Sequence, residues 1–271
     1  MLIDDLTRLG ALDDDEIDLA EAALVLGALD RPDADLTPYR LVLQHICSEV
    51  FVTGTDAETP AQQAAVLRDV LAARFGFAGD RETYDDPANA NLLDVIDRRK
   101  GLPVALSILY IAAARAVGWT ADGLNMPAHF LIRIGGGPVS VLQDPFNDGA
   151  LVTGEQLDVL LRRVAGQAAR LQASHLEPLS NRAILIRLLN NIAARAEQAD
   201  DLPRALVLHE RMTAIAPMMT ALWWERARLE QGLGRVAAAR SSLSAMLETT
   251  RNAAISEQIR RALEGLARSI N

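Results

Sequence analysis

Few side chains in this chain could do chemistry on their own. Among its 271 residues are four histidines and one cysteine. Their spacing excludes the usual metal and phosphate sites: there is no HxxxH, HExxH or CxxC, no P-loop and no GxGxxG. No metal or cofactor is therefore expected. Cys47 follows His45 by two residues, which on a helix sets them on different faces, so they do not pair as nucleophile and base. Cys47 reads as a core cysteine. His129, beside Phe130, reads as a core imidazole whose ring is satisfied by Asp144; a functional pair is the sharper reading. Asn91 suits a helix cap and Asn125 a turn. Arg98, Arg99 and Lys100 close a helix, where cations suit its dipole, and a bound anion is the alternative use for them. His175 and His209 fall on helical surface in no visible constellation.

These residues sit among helices at both ends of the chain, with a short β region between. Residues 16–29, 39–50 and 60–75 show apolar positions at steps of three and four. Asn91 opens a short helix that Gly101 ends. Pro103 begins the most apolar stretch, Val104 to Val117, which must be buried because it has no polar face. Strand-like runs follow at 119–124, 129–134 and 139–143, and Gly135-Gly136-Gly137-Pro138 joins the last two as an antiparallel hairpin. From Gly154 the pattern is helical, including 155–172 and 255–269.

The composition bounds the function. Half of the residues are hydrophobic and the net charge is −9. Residues 1–60 carry −11, residues 61–150 carry −2 and residues 151–271 carry +4. Nucleic acid is not an expected partner, because no basic footprint or recognition helix is visible. No apolar run is long enough to span a bilayer, and Met1-Leu-Ile-Asp-Asp lacks the basic start of a secretory signal. One cysteine allows no internal disulfide, so a cytoplasmic protein is expected.

Offsetting the chain by 34 residues aligns Leu189 with Trp223, Ala193 with Ala227, Ala205 with Ala239 and Met212 with Met246. That period, with small residues where helices cross, matches the tetratricopeptide pattern over about 186–252. Two repeats need flanking helices to cover them. Arg187, Arg195, Arg226 and Arg228 are expected on the outer face of this tail, where arginines suit an acidic peptide or protein segment.

Three stretches together resemble one family: Asn91-Leu-Leu-Asp-Val-Ile-Asp-Arg-Arg-Lys-Gly-Leu-Pro-Val, Leu124-Asn-Met-Pro-Ala-His-Phe-Leu-Ile-Arg, and Asp144-Pro-Phe-Asn-Asp-Gly. The chain is similar throughout to bacterial transglutaminase-like proteins with C-terminal tetratricopeptide repeats, often labelled invasion-gene expression regulators. Two positions depart from that pattern. Ala128 replaces a glycine before His129, and Asp148 replaces the first glycine after Asn147.

The resemblance implies an α+β fold. A transglutaminase-like domain with its N-terminal helices would span 1–153, and a helical tail 154–271. The parent superfamily works with a Cys-His-Asp triad whose cysteine starts a buried helix. In that frame Gly101, Ser107 and Gly118 fit, with Asn125, Phe146 and Asn147 around the site. His129 and Asp144 take the second and third triad positions, and Pro103 stands where the nucleophile belongs. Proline has no thiol or hydroxyl. Ser107 lies a turn deeper, about 6 Å along the axis. The expected function is therefore a non-catalytic interaction or regulatory module with a protein or peptide partner. The alternative is a hydrolase or acyl transferase using His129 and Asp144 without a cysteine. Oligomeric state is not encoded in these patterns.

Overall fold

The computed structural model describes residues 2–124, 126–127, 129–166 and 169–268. Along the chain run α1 (Leu2–Ala11), α2 (Leu19–Ala28), α3 (Thr37–Thr53), α4 (Pro60–Leu67) and β1 (Ala78–Gly79). Next come α5 (Leu92–Arg98), β2 (Lys100–Gly101), α6 (Pro103–Ala116), β3 (Ala121–Leu124), β4 (Leu131–Ile134), β5 (Val141–Asp144) and β6 (Ala150–Val152). The helices α7 (Gly154–Ala165), α8 (Asn181–Gln198), α9 (Leu202–Ile215), α10 (Thr220–Gly232), α11 (Val236–Thr249) and α12 (Ala253–Arg268) complete it. The fold is α+β. Two compact units are formed, residues 14–188 and residues 1–13 with 189–271, a division that differs from the 153/154 boundary read from the sequence. No helix among the described residues is long and apolar enough to cross a membrane.

In the unit 14–188, α6 is the centre. Leu106, Ile108, Leu109, Tyr110 and Ile111 are all 0–1 % exposed. The helix packs against α2, α3, α4 and α5 and against β3 and β4. The sheet is antiparallel in the order β3-β4-β5-β6. β3 and β4 lie within the first two runs expected and β5 overlaps the third, ending one residue later at Asp144, whereas β6 is three residues long and too short to show a period. The helix expected over 155–172 stops at Ala165, because Gly166 turns the backbone to φ +90°. The helix expected over 60–75 changes at Arg68 from α to π winding.

The loop before α5 is tied down by a buried carboxylate. Asp80, 1 % exposed, accepts from the Thr83 hydroxyl at 2.6 Å and from the N–H groups of Glu82 and Thr83 at 3.1 and 2.9 Å. Arg98 on α5 donates to the same carboxylate at 2.9 Å and to Asn89 Oδ1 at 3.2 Å. Leu102 N–H donates to the Asn89 carbonyl at 2.8 Å, which fixes the residue just before α6. β1 pairs in parallel with β2, Gly79 opposite Gly101.

In the other unit, the 34-residue offset has a structural counterpart. Ala193, Ala205, Ala227 and Ala239 are buried, as are Met212 and Met246. The alanines let the helices approach closely. Ile259 and Leu266 of α12 join Ala227, Ala239, Leu243 and Met246 in one cluster, so α12 covers the second repeat. α1 packs on α9, Gly10 lying against the Ala214 carbonyl.

The Asp80 network is a stability test. The Thr83 hydroxyl and N–H hold the Asp80 carboxyl well below its ordinary pKa. Folding thus lowers this pKa, and its contribution is present above the unfolded value and lost as the carboxylate is protonated. Asp80→Ala is expected to cost about 2 kcal/mol in urea denaturation, because Arg98 and two N–H groups lose their acceptor. The difference from the parent protein is expected to be constant above about pH 5 and to shrink below about pH 4.

Candidate functional site

The site is built where β4 and the turn after Asp144 pack against α6. In the β4–β5 register Ile132 faces Gln143, so Leu131 is opposite Asp144. His129 stands two residues before Leu131 and shares its face of the sheet. This brings His129 Nε2 to 2.8 Å from Asp144 Oδ2. The other carboxylate oxygen accepts from Phe146 N–H at 3.0 Å and from Asn147 N–H at 3.2 Å, capping the 3-10 turn Pro145–Asn147. Asp144 is 6 % exposed and its orientation is set from both sides. With Nε2 donating to the carboxylate, the lone pair left for chemistry is on Nδ1. Nδ1 has no hydrogen-bond partner among the described residues, and the ring is 18 % exposed. The pair is therefore an oriented base in a half-open position.

Pro103 occupies the first turn of α6 and is buried, after Leu102 at the cap with no side-chain cap bond. The fixed φ of proline and its missing N–H suit this position. Ser107 is fully buried, and its hydroxyl has no hydrogen-bond partner among the described residues. Pro103, Ser107 and Tyr110 are spaced four and three apart and share one face of α6. Sequence reasoning passed over Tyr110, although this spacing is visible in it. Burial raises the Tyr110 phenol well above its usual pKa, and the nearby carboxylates of Asp148 and Asp144 add to that. The phenol is protonated at any physiological pH and cannot serve as a base. Cys47 lies on α3, only partly buried; burial and then Asp18 push its thiol pKa up. It is neither a closed core residue nor an activated thiol.

The turn after Asp144 is clamped by residues of the 76–91 loop whose roles the sequence left unread. Arg81 donates to Asn147 Oδ1 at 2.7 Å, and its guanidinium lies 5.8 Å from the Phe146 ring centre. Tyr84 meets the same ring edge-on at 5.7 Å. Gly79 presses on it too, since a Cβ there would sit 2.5 Å from the Phe146 ring. Through β1 and β2, Gly101 is thereby held in this assembly. Asp148 adopts φ +54°, a left-handed conformation that glycine takes freely and aspartate tolerates. The resembling family's glycine fits that need. Asn125 and Ala128 lie outside the described residues.

The arginines of the tail do not form a free charged row. Arg226 is half-buried: it binds the buried Glu230 at 2.9 Å and Thr213 Oγ1 at 3.1 Å, and stacks on Trp223. Ser242 donates to the same Glu230 at 2.7 Å. Arg228 is exposed but pairs with Glu225 and Glu197. Arg195 bonds the Asn191 carbonyl within its own helix, and half-buried Arg187 donates to the Met126 carbonyl in the unit 14–188. The buried Glu230 draws Arg226 inward, backbone carbonyls hold Arg195 and Arg187, and surface carboxylates hold Arg228. His209 is likewise buried and not on the surface; burial lowers its pKa.

Comparison with known proteins follows the same division. Residues 37–190 match the transglutaminase-like superfamily, and residues 192–264 match the tetratricopeptide repeat. A UPF0162 protein of Xylella fastidiosa is 30% identical over 248 residues, covering 89% of this chain and 87% of that protein. One from Vibrio cholerae is 31% identical over 179 residues, covering 65% and 66%. Mouse F-box only protein 21 is 33% identical over 78 residues, 29% of this chain and 12% of that protein. No solved structure matches.

The two members of the pair are expected to differ in their structural weight. Asp144→Ala removes the cap of the 3-10 turn together with the imidazole contact, and is expected to lower unfolding free energy by about 2–3 kcal/mol. His129→Ala removes one contact at a half-open position and should cost about 1 kcal/mol or less. Denaturation of both variants and the double mutant checks this; equal costs would contradict the capping role.

Proposed function

The chain belongs to the transglutaminase-like superfamily, and from that premise we propose that it is a non-catalytic member acting as a protein-interaction or regulatory module. The observation that carries this reading is Pro103 at the first turn of α6. Covalent catalysis of the superfamily kind needs an attacking atom beside the base, and His129 with Asp144 supplies only the base. No ionisable group on α6 replaces it: Ser107 is sealed and Tyr110 is held protonated. An oriented pair without a nucleophile still has structural value, because Asp144 organises the turn that closes the sheet.

The tail supplies the interaction. Tetratricopeptide regions bind proteins or peptides on their helical surfaces, and α8 to α12 have the paired-helix build for it. Arg228 and Arg195 are the arginines that retain exposure here, and an acidic segment is the partner class they suit. Such recognition would compete with Glu197 and Glu225 for Arg228 and weaken with salt.

A second reading has one observation in its favour: His129, partly exposed, has no described hydrogen-bond partner at Nδ1, which could activate a water. Both readings are separated by assay. The purified chain is expected to show no amine incorporation into glutamine peptides and no thiol-dependent peptide hydrolysis, and capping Cys47 should change neither. Partner capture from the native host should fall when Arg195 and Arg228 are both changed to Glu. Hydrolysis abolished by His129→Ala, in folded protein, would replace the interaction reading with the water-based one. Hydrolysis abolished by Cys47→Ala would make Cys47 the nucleophile.

A further inference from the structure

We propose that the unit 14–188 carries a separate docking groove for a basic amphipathic helix of a partner protein. The groove has a volume of about 920 Å³ and lies between α2, α3 and α6. Its lining includes neither His129 nor Asp144, nor any of Arg187, Arg195, Arg226 and Arg228.

Its floor is the one place where α6 opens to solvent. The helix is otherwise enclosed, yet Ala112 is half-buried and Ala116 is exposed, and both line the groove with Leu109 and Ala113. Steps of three and four put these residues on one face, and their small side chains let another helix lie close. One wall is α3. Arg40, Gln44 and Cys47 line it at positions four and three apart. Phe51 continues that face one turn beyond Cys47, with 67% of its surface exposed.

The rim sets the sign of the occupant. Asp15, Glu16, Asp18 and Glu21 stand on it against two arginines. Arg40 and Glu21 neutralise each other, which leaves Asp15, Glu16 and Asp18 against Arg115. Arg40 binds Glu21, Nε to Oε2 at 2.9 Å. Arg115 donates to the Ala121 carbonyl at 2.9 Å and to Asn181 Oδ1 at 2.6 Å, and faces Asp122 at 3.7 Å. Asp15 makes no ion pair with a described residue. The groove therefore offers an apolar floor under an acidic rim, which fits a helix with apolar anchors on one face and Lys or Arg on its flanks. The chain's own amphipathic helix α12 is not free to be that occupant. It already buries Ile259 and Leu266 in its own unit.

The test uses the full chain and three fluorescent peptides of about 18 residues, five helical turns. One is a Leu/Lys amphipathic helix, one has the same composition shuffled to destroy the apolar face, and one is its Leu/Glu counterpart. The Leu/Lys helix is expected to bind about tenfold or more tightly than either control, and more weakly as salt rises. Ala116→Trp, which fills the floor, and a bulky maleimide on Cys47, the only cysteine of the chain, should each weaken it about tenfold or more. Thermal melting confirms that both blocked proteins are folded; if Ala116→Trp is not, Gln44→Trp on the exposed α3 wall takes its place. Equal binding of the shuffled peptide would overturn the proposal. So would affinity unchanged by blocking the groove, or loss of binding only in the Arg195 and Arg228 double variant. Chain dimerisation that displaces the peptide would overturn it in favour of self-association.

Discussion

Helix α6 is apolar on nearly every face, so almost none of it can be left in water. Burying each large side chain of such a helix is worth about 1.5–3 kcal/mol, and Leu106, Ile108, Leu109 and Ile111 are all sealed. The surrounding elements follow from that demand. α2, α3, α4 and α5 cover it together with β3 and β4, and the buried Asp80–Arg98 network anchors the loop that leads into it. Where cover is incomplete, at Ala112 and Ala116, a groove is left.

Enclosure of the helix also dictates the character of the site. A helix starting inside a protein presents unpaired N–H groups and a positive dipole end, the environment that would activate a thiol. Proline at the first turn removes one of those N–H groups and contributes no reacting atom. Asp144 and His129 each have a structural role of their own. Asp144 caps the turn clamped by Arg81, Tyr84 and Gly79, and His129 satisfies Asp144.

Much of this was legible in the residues. The hairpin and the His129–Asp144 pairing were readable because a glycine turn and a two-residue period fix which side chains share a face. The repeats were readable because close helix crossing demands small residues at set intervals, and Ala193, Ala205, Ala227 and Ala239 supply them. Other features depend on partners distant in sequence. Arg226 and Arg228 have the spacing of an exposed row, but the buried Glu230 draws Arg226 inward and Glu197 holds Arg228 from another helix. His209 reads as surface on a helical wheel and is enclosed by packing that the wheel does not contain. Asp80 gathers Thr83, Glu82 and Arg98 into one network, a long-range assembly that no local pattern displays.

The central claim is that Pro103 stands at the nucleophile position of an otherwise assembled site. Replacing it tests that directly. In a Cys47→Ser background, Pro103→Cys places a single thiol at the start of α6, and its ionisation can be followed by thiolate absorbance near 240 nm. The account predicts a thiol pKa below the ordinary value of about 8.5, rising toward it when His129→Ala is added. A thiol that titrates at or above the ordinary value, and does not respond to His129→Ala, would contradict the assignment of this position and of the pair assigned to it.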